Sequence, residues 1–198
     1  MKPIEFWFDF SSPYAYMLSE LIGPVAVRHG RDVLWRPTLL GAVFKASGGA
    51  PLTEIPVKGP YSRHDFVRSA RFHGLPFRIP SVFPIGTVTV ARALIWAQES
   101  DAARAVPFMH AAFRAYFVDD RNISDAAVVA QIARDCGIDV DAMAQAVASQ
   151  PIKDRLKANV DESIARGVFG VPFVFVDGEP FWGHDRLPQI ERWLQEPF

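Results

Sequence analysis

The sequence predicts an α/β fold in which a long helical segment interrupts a small β-sheet. Near the N-terminus, the aromatic run FWFDF at residues 6–10 leads directly into a helix-start signal. Near the C-terminus, an apolar run at 171–176 is followed by Asp-Gly and a second aromatic run, a pattern typical of a β-hairpin. Most of the residues between 61 and 166 carry helical periodicity.

The N-terminal part of the chain predicts a β-α-β unit. Residues 3–9 form a strand and residues 12–29 form a helix that ends before Gly30. Residues 33–37 form a second short strand that stops at a proline. The length of this unit suits a right-handed crossover with parallel strands.

Ser12 occupies the predicted N-cap of the first helix, and Pro13 occupies its first helical position. The Ser12 hydroxyl therefore lies among free backbone N–H groups at the positive end of the helix dipole, where a ligand anion would be stabilised. For an isolated Ser-Ser-Pro, simple capping is the more common explanation. The role of Ser12 therefore depends on the rest of the chain.

The middle of the chain predicts a loop followed by helices. Residues 40–60 form a loop with one short helix near 41–46, and Lys45 and Lys58 in this region are expected at the surface, as lysines usually are. Ser124 is the predicted cap of one of the helices that follow. These helices are predicted over 61–74, 87–99, from 102 or 107 to 117, 124–136, 141–150 and 152–166.

After the C-terminal hairpin, Asp185 is the predicted cap of a last helix that runs through Leu194. Its buried side is predicted to carry Leu187, Ile190, Trp193 and Leu194. The complete order predicts a thioredoxin-like fold with an inserted all-helical domain. Residues 1–40 plus 167–198 would form the thioredoxin-like domain, and 41–166 would form the inserted loop and helical domain.

Composition excludes several classes of protein. The net charge is −1, and Lys and Arg alternate with Asp and Glu, so we expect no nucleic-acid partner. No apolar run approaches the ~18 residues that span a bilayer, so we expect no membrane segment. Glu5 and Asp9 interrupt the apolar N-terminal segment, which argues against a signal peptide. We therefore expect a cytoplasmic protein.

The single cysteine, Cys136, excludes an internal disulfide and a C-x-x-C redox pair. Its position at the C-terminal end of a predicted helix disfavours the thiolate, so a packing role is expected. The five histidines show no metal-ligand spacing, and no metal is predicted. The chain contains no G-x-S-x-G, H-E-x-x-H, phosphate-loop or G-x-G-x-x-G motif.

Pro172 begins the strand that should face Ser12 across a thioredoxin-like sheet. A cis proline here would turn the carbonyl and N–H of Val171 outward, where they could pair with an extended peptide. For Pro172 alone, an ordinary first-position strand proline is the simpler explanation.

Three motifs together resemble the 2-hydroxychromene-2-carboxylate isomerase family. They are FDFSSPY at 8–14, FGVP at 169–172 and WGHDRL at 182–187. The resemblance covers essentially the whole chain, and that family is similar to kappa-class glutathione transferases and DsbA-like thioredoxin folds. It implies glutathione-dependent isomerisation of 2-hydroxychromene-2-carboxylate to trans-o-hydroxybenzylidenepyruvate in aromatic compound catabolism. It also implies a homodimer.

The same resemblance implies roles for individual residues. Ser12 would be catalytic by donating a hydrogen bond to the glutathione thiol, which lowers the pKa of that thiol. Glutathione would contact the FDFSSPY motif, the strand start and the beginning of the last helix, and Gly49 stands where kappa enzymes often have asparagine. The flat, anionic substrate would be received by basic and aromatic residues of the loop. The implied glutathione-binding residues are Ser12, Pro13, Tyr14, Gly49, Val171, Pro172, His184 and Asp185, and the implied substrate-binding residues are Lys45, Lys58 and Tyr61.

Two alternatives remain. A kappa-type glutathione transferase or peroxidase would use the same thiolate on other electrophiles. A thioredoxin-fold peptide-binding module would perform no chemistry, although serine, rather than alanine or glycine, before Pro13 argues against it.

Overall fold

The structure is a computed structural model that describes residues 2–198, and it is a mixed α/β thioredoxin-like fold. Its strands are β1 (Ile4–Phe8), β2 (Val33–Pro37), β3 (Phe173–Val176) and β4 (Glu179–Trp182). Its helices are α1 (Pro13–Arg28), α2 (Leu40–Ser47), α3 (Lys58–Phe72), α4 (Val88–Ser100), α5 (Ala102–Phe117), α6 (Ala126–Asp135), α7 (Val140–Ala148), α8 (Gln150–Ala165) and α9 (Leu187–Gln195). Short 3-10 turns cover Leu52–Glu54 and His184–Arg186.

The four strands form one sheet in the order β2-β1-β3-β4. β1 and β2 are parallel, which confirms the predicted β-α-β unit, and β3 is antiparallel to both β1 and β4, which confirms the hairpin. Asp177 and Gly178 at the hairpin turn have φ values of 55° and 102°, the positive values that a tight two-residue hairpin loop requires. β1 is therefore a central strand, paired on both edges.

A cluster of aromatic side chains joins the sheet to the helices. The Phe113 ring of α5 lies 5.6 Å from the Phe8 ring of β1 and 4.8 Å from the Phe10 ring. It also lies 6.1 Å from Tyr16 of α1, and all four side chains are completely buried. Burial of this cluster fixes α1 and α5 against one face of the sheet.

All four strands lie outside residues 41–166, and the segment between them is helical apart from its connections. α4 packs against α5, α7 and α8 within this segment, and α8 also contacts β2. Within residues 2–198, none of the helices combines the length and the apolar character that a bilayer crossing requires. The division into two domains stays a prediction.

Two predicted helix caps are wrong. Ser124 donates its hydroxyl to the side chain of Asn122 at 2.7 Å, and the neighbouring Asp125 is the N-cap, since its carboxylate accepts from Ala127 N–H at 2.8 Å. Asp185 lies inside the second 3-10 turn, because Gly183 at φ 109° turns the chain before α9 begins. Arg186 occupies the N-cap position of α9 without a side-chain cap.

The helix boundaries show two smaller differences. α3 begins at Lys58, so the loop before it is shorter than predicted. In α9 only Ile190 is fully buried, while Leu187, Trp193 and Leu194 are partly buried against the core.

Phe113→Ala should lower the free energy of unfolding by about 3–5 kcal/mol, because it removes a fully buried ring at the junction of sheet and helices. Phe72→Ala is the matched control, since the Phe72 side chain is 84% exposed and should change the value by less than about 0.5 kcal/mol. Urea denaturation of both variants measures the difference. Equal losses in the two variants would contradict the role of Phe113.

Candidate active site

A cleft of about 1420 Å³ opens beside the N-terminus of α1. It is lined by the turn before α1, by α2 and the loop after it, and by the segment that ends at Pro172. Lys58 and Tyr61 are not among the lining residues of the described chain 2–198. The cleft brings together the predicted site residues Ser12, Pro13, Tyr14, Lys45, Gly49, Val171, Pro172, His184 and Asp185.

Ser12 is the N-cap of α1, and its side chain is held on two sides. Its hydroxyl oxygen accepts a hydrogen bond from Ala15 N–H at 3.2 Å and donates to the carbonyl of Val171, also at 3.2 Å. The residue is 5% exposed and lies at the wall of the cleft. The hydroxyl therefore sits between the positive end of α1 and the start of β3.

The Val171–Pro172 peptide bond is cis, and it lies directly opposite Ser12. The carbonyl of Pro172 accepts from Gly183 N–H at 3.0 Å, which ties the strand start to the beginning of the last helical segment. Within residues 2–198, no hydrogen bond reaches the N–H of Val171. This N–H is available to an extended ligand backbone.

Tyr14 connects three elements at one side of the cleft. Its ring stacks on the imidazole of His184, with ring centres 4.6 Å apart and an angle of 6° between the planes. Its hydroxyl donates to Asp65 of α3 at 2.5 Å. Burial and the neighbouring Asp65 raise the pKa of Tyr14, so its hydroxyl stays protonated.

The sequence did not single out Asp65 as a site residue. Burial raises the pKa of this carboxyl, but hydrogen bonds from Tyr14 and Arg68 outweigh it, so the pKa lies below its usual value. An acid on the polar side of a helix carries no local signal that separates it from a surface residue. Only its approach to Tyr14, 51 residues away, reveals it.

His184 is a partly buried imidazole between carboxylates and another histidine. Burial lowers its pKa and His73 lowers it further, while Asp185 and Asp65 raise it. The His73 ring meets it edge to face at 5.7 Å. Because the net direction is downward, His184 is neutral near pH 7.

Two glycines allow aromatic rings to line the cleft closely. A side chain at Gly49 would place its Cβ 2.8 Å from the ring of Phe44, and one at Gly170 would place it 2.9 Å from the indole nitrogen of Trp182. Trp182 is 52% exposed and packs edge to face on Phe169 at 4.8 Å. The ring of Phe44 therefore borders the space that an asparagine side chain would need at Gly49.

Cys136 is the C-cap of α6 and is partly buried. Burial and the neighbouring Asp135 raise the pKa of this thiol. It is not among the cleft-lining residues of the described chain 2–198, and within that range no group of three metal-ligating side chains is found.

The Hε1 resonance of His184 should titrate with a midpoint below 6.5, measured by NMR. Because the unfolded chain then binds more protons than the folded one, stability should fall as pH drops below 6.5 through the folded-state pKa. His184→Gln should make the decrease in the free energy of unfolding over this range shallower. A midpoint at or above 6.5 would contradict the effect of burial.

A family model for the DSBA-like thioredoxin domain matches residues 3–195. Glutathione S-transferase kappa 2 of Caenorhabditis elegans is 31% identical, with the match covering 100% of this chain and 93% of that protein. A 2-hydroxychromene-2-carboxylate isomerase of Sphingobium xenophagum is 30% identical, with 98% of each chain covered. These matches extend over nearly the full length of the relatives.

The solved structures agree with the sequence comparisons. A 2-hydroxychromene-2-carboxylate isomerase structure superposes with a TM-score of 0.88 at 25% identity, covering 97% of this chain and 94% of that one. A probable DsbA oxidoreductase of Streptomyces coelicolor has a TM-score of 0.83 at 20% identity, covering 100% and 90% of the two chains, and supports the fold alone. The chain therefore belongs to the DSBA-like thioredoxin domain family, in the group that includes the 2-hydroxychromene-2-carboxylate isomerases and the kappa-class glutathione transferases.

Proposed function

We propose that this protein is a glutathione-dependent isomerase that converts 2-hydroxychromene-2-carboxylate to trans-o-hydroxybenzylidenepyruvate in aromatic compound catabolism. The observation that carries the proposal is the Ser12 hydroxyl, held at the N-terminus of α1 and 3.2 Å from the Val171 carbonyl in a large cleft. No cysteine lines this cleft in residues 2–198, so the site suits a sulfur that arrives with a ligand.

The residues present fit glutathione. The free N–H and the carbonyl of Val171 would pair with the cysteinyl backbone, in the manner of an added strand. Pro13 and Tyr14 continue the wall beside Ser12, and the γ-glutamyl group would meet the start of the last helical segment at His184 and Asp185. The Asp185 carboxylate, with a side chain 60% exposed, would face the ligand ammonium. Gly49 offers no side-chain polar contact, and the Phe44 ring occupies the space that a side chain at position 49 would need.

Ser12 would stabilise negative charge on a bound sulfur. Its hydroxyl can turn from Val171 to donate to the sulfur, and the N-terminus of α1 favours an anion at the same place. Both effects lower the pKa of a thiol. Glutathione, when bound, would supply the thiolate that adds to the chromene ring and leaves after the ring has opened.

Lys45 would bind the carboxylate of the substrate. Lys45 lies on α2, and both it and the neighbouring Phe44 line the cleft. Phe169 and Trp182 offer half-exposed rings for a flat aromatic substrate. Lys58 and Tyr61 lie outside the cleft lining, so substrate-binding roles for them would require movement of α3. The Tyr61 hydroxyl also accepts a hydrogen bond from the Arg68 guanidinium at 2.9 Å.

A kappa-type glutathione transferase or peroxidase is the second candidate. The 31% identity to a kappa transferase favours it, and it needs the same Ser12 and Val171 geometry. The resemblance also supports a cytoplasmic homodimer.

A peptide-binding module without chemistry is a third possibility, and an activity panel with the chromene substrate beside generic electrophiles separates the three candidate functions.

Ser12→Ala should raise the pKa of bound glutathione by about one unit and reduce turnover roughly 100-fold, because one donor to the sulfur is lost. Calorimetric titration and the ultraviolet absorption of the thiolate measure both quantities. Ser19→Ala is the control, since the Ser19 hydroxyl bonds to the Tyr16 carbonyl within the same helix. If Ser12→Ala still binds glutathione as the thiolate near neutral pH, the proposed role of Ser12 is wrong.

Lys45→Ala should raise the KM for the chromene carboxylate about tenfold while leaving the pKa of bound glutathione unchanged, because one charge-assisted contact is lost. Lys58→Ala should change KM less, since Lys58 lies outside the cleft lining. Steady-state kinetics of both variants measures the difference. If neither substitution affects KM or turnover, the carboxylate is bound elsewhere.

A further inference from the structure

Asp9 is a buried acid at the end of β1 that the proposed reaction does not use. Its Oδ1 accepts from the N–H and the hydroxyl of Ser11, both at 2.8 Å, and from the hydroxyl of Thr87 at 2.9 Å. Its Oδ2 accepts from Leu40 N–H at 2.7 Å. The residue is 4% exposed, so four donors from three chain segments replace water around it.

This environment suits a carboxylate anion. Two of the four donors are backbone N–H groups, which can only donate, so the contacts match an acceptor-only group. Burial raises the pKa of Asp9 and these hydrogen bonds lower it, burial being the larger effect. Among residues 2–198 no cationic side chain forms an ion pair with Asp9. Although the net direction of the Asp9 pKa is upward, the four donors leave both carboxyl oxygens with partners, so a carboxylate here would be spread over neutral donors with no cation beside it.

Asp9 is also close to the site of the proposed thiol. Its backbone carbonyl accepts from Ser12 N–H at 3.0 Å, and Asp9 is one of the residues that line the same cleft as Ser12. Both polar hydrogens of Ser11 point to Asp9, so of the two neighbouring serines only Ser12 directs its hydroxyl across the cleft. A buried anion that borders the same cleft disfavours a second anion within that cleft.

We propose that the Asp9 carboxylate counteracts the N-terminus of α1, limiting how far a thiolate bound at Ser12 is stabilised. The inference rests on the proposed binding of a thiol there. Asp9 is then a positioning residue that acts through Ser11 and through its charge. The consequence is chemical, because the intrinsic nucleophilicity of a thiolate falls as its pKa falls. If the thiolate were stabilised further, a larger fraction of the bound thiol would be ionised, but each thiolate would add to the substrate more slowly.

The test compares wild type with Asp9→Asn, which keeps the shape of the side chain and removes its charge. Ultraviolet titration of bound glutathione should show the pKa of the thiol lower by about one unit in Asp9→Asn. A purely structural role predicts the opposite sign or no change, because a loosened turn presents Ser12 less well. An unchanged or raised pKa therefore overturns the inference.

Thr87→Val is the matched control. It removes one of the four hydrogen bonds and keeps both the charge of Asp9 and the branched shape at position 87. The pKa of bound glutathione should move by much less than in Asp9→Asn, and an equal fall would refute the role of charge. The other charged or titratable residues that line the cleft are the same in all these proteins: Tyr14, Lys45, Asp65, His184, Asp185 and Arg186.

A second pair of variants makes the test independent of glutathione. Ser12→Cys places a thiol at the N-terminus of α1 without any ligand. The pKa of this thiol should be lower in the double variant Ser12→Cys/Asp9→Asn than in Ser12→Cys alone. If wild type binds no glutathione, the proposed function fails, and this pair still decides the inference. Thermal melting checks the fold, and Asp9→Ser, which also removes the charge, replaces Asp9→Asn if the latter does not fold.

Discussion

The hydrogen bond from Ser12 to the carbonyl of Val171 joins parts of the chain that are 159 residues apart. It can form because β1 is central in the sheet, paired with β2 on one edge and β3 on the other. The antiparallel pairing of β1 with β3 places the end of β1 beside the start of β3. The helix N-terminus that follows β1 therefore faces the cis proline, and the cleft opens between them.

The short segment between β1 and α1 also organises the helical part of the cleft. Asp9 binds the first backbone N–H of α2 and the hydroxyl that precedes α4, while Tyr14 binds Asp65 of α3 and stacks on His184. A few side chains thus hold elements that come from distant parts of the sequence. Because the cleft walls meet at this segment, its hydrogen bonds control both the shape of the cleft and the charges around the Ser12 hydroxyl.

Charge and apolar surface are separated within the cleft. The glycines at 49 and 170 let the rings of Phe44 and Trp182 approach the backbone, so one wall is aromatic. The side that carries Tyr14 is polar, with a protonated phenol, an ionised Asp65 and a neutral imidazole at His184. This division suits two molecules bound together: a peptide-like ligand on the polar side of the cleft and a flat aromatic reaction partner against the aromatic wall.

The sequence by itself determined the strands, most of the helices and the N-cap at Ser12, because helical periodicity, hairpin turn residues and capping chemistry are local. The predicted thioredoxin-like topology added the placement of Ser12 opposite the strand start at Pro172, and the resemblance of its motifs added the family. Only the tertiary structure decided the partners of Asp9 and Asp65, whose contacts reach 78 and 51 residues along the chain. It also showed that Asp185 is not the cap of the last helix, because the positive φ at Gly183 turns the chain and the helix begins later. Local patterns identify a buried or capping residue type, whereas hydrogen bonds between distant segments depend on how the whole chain packs.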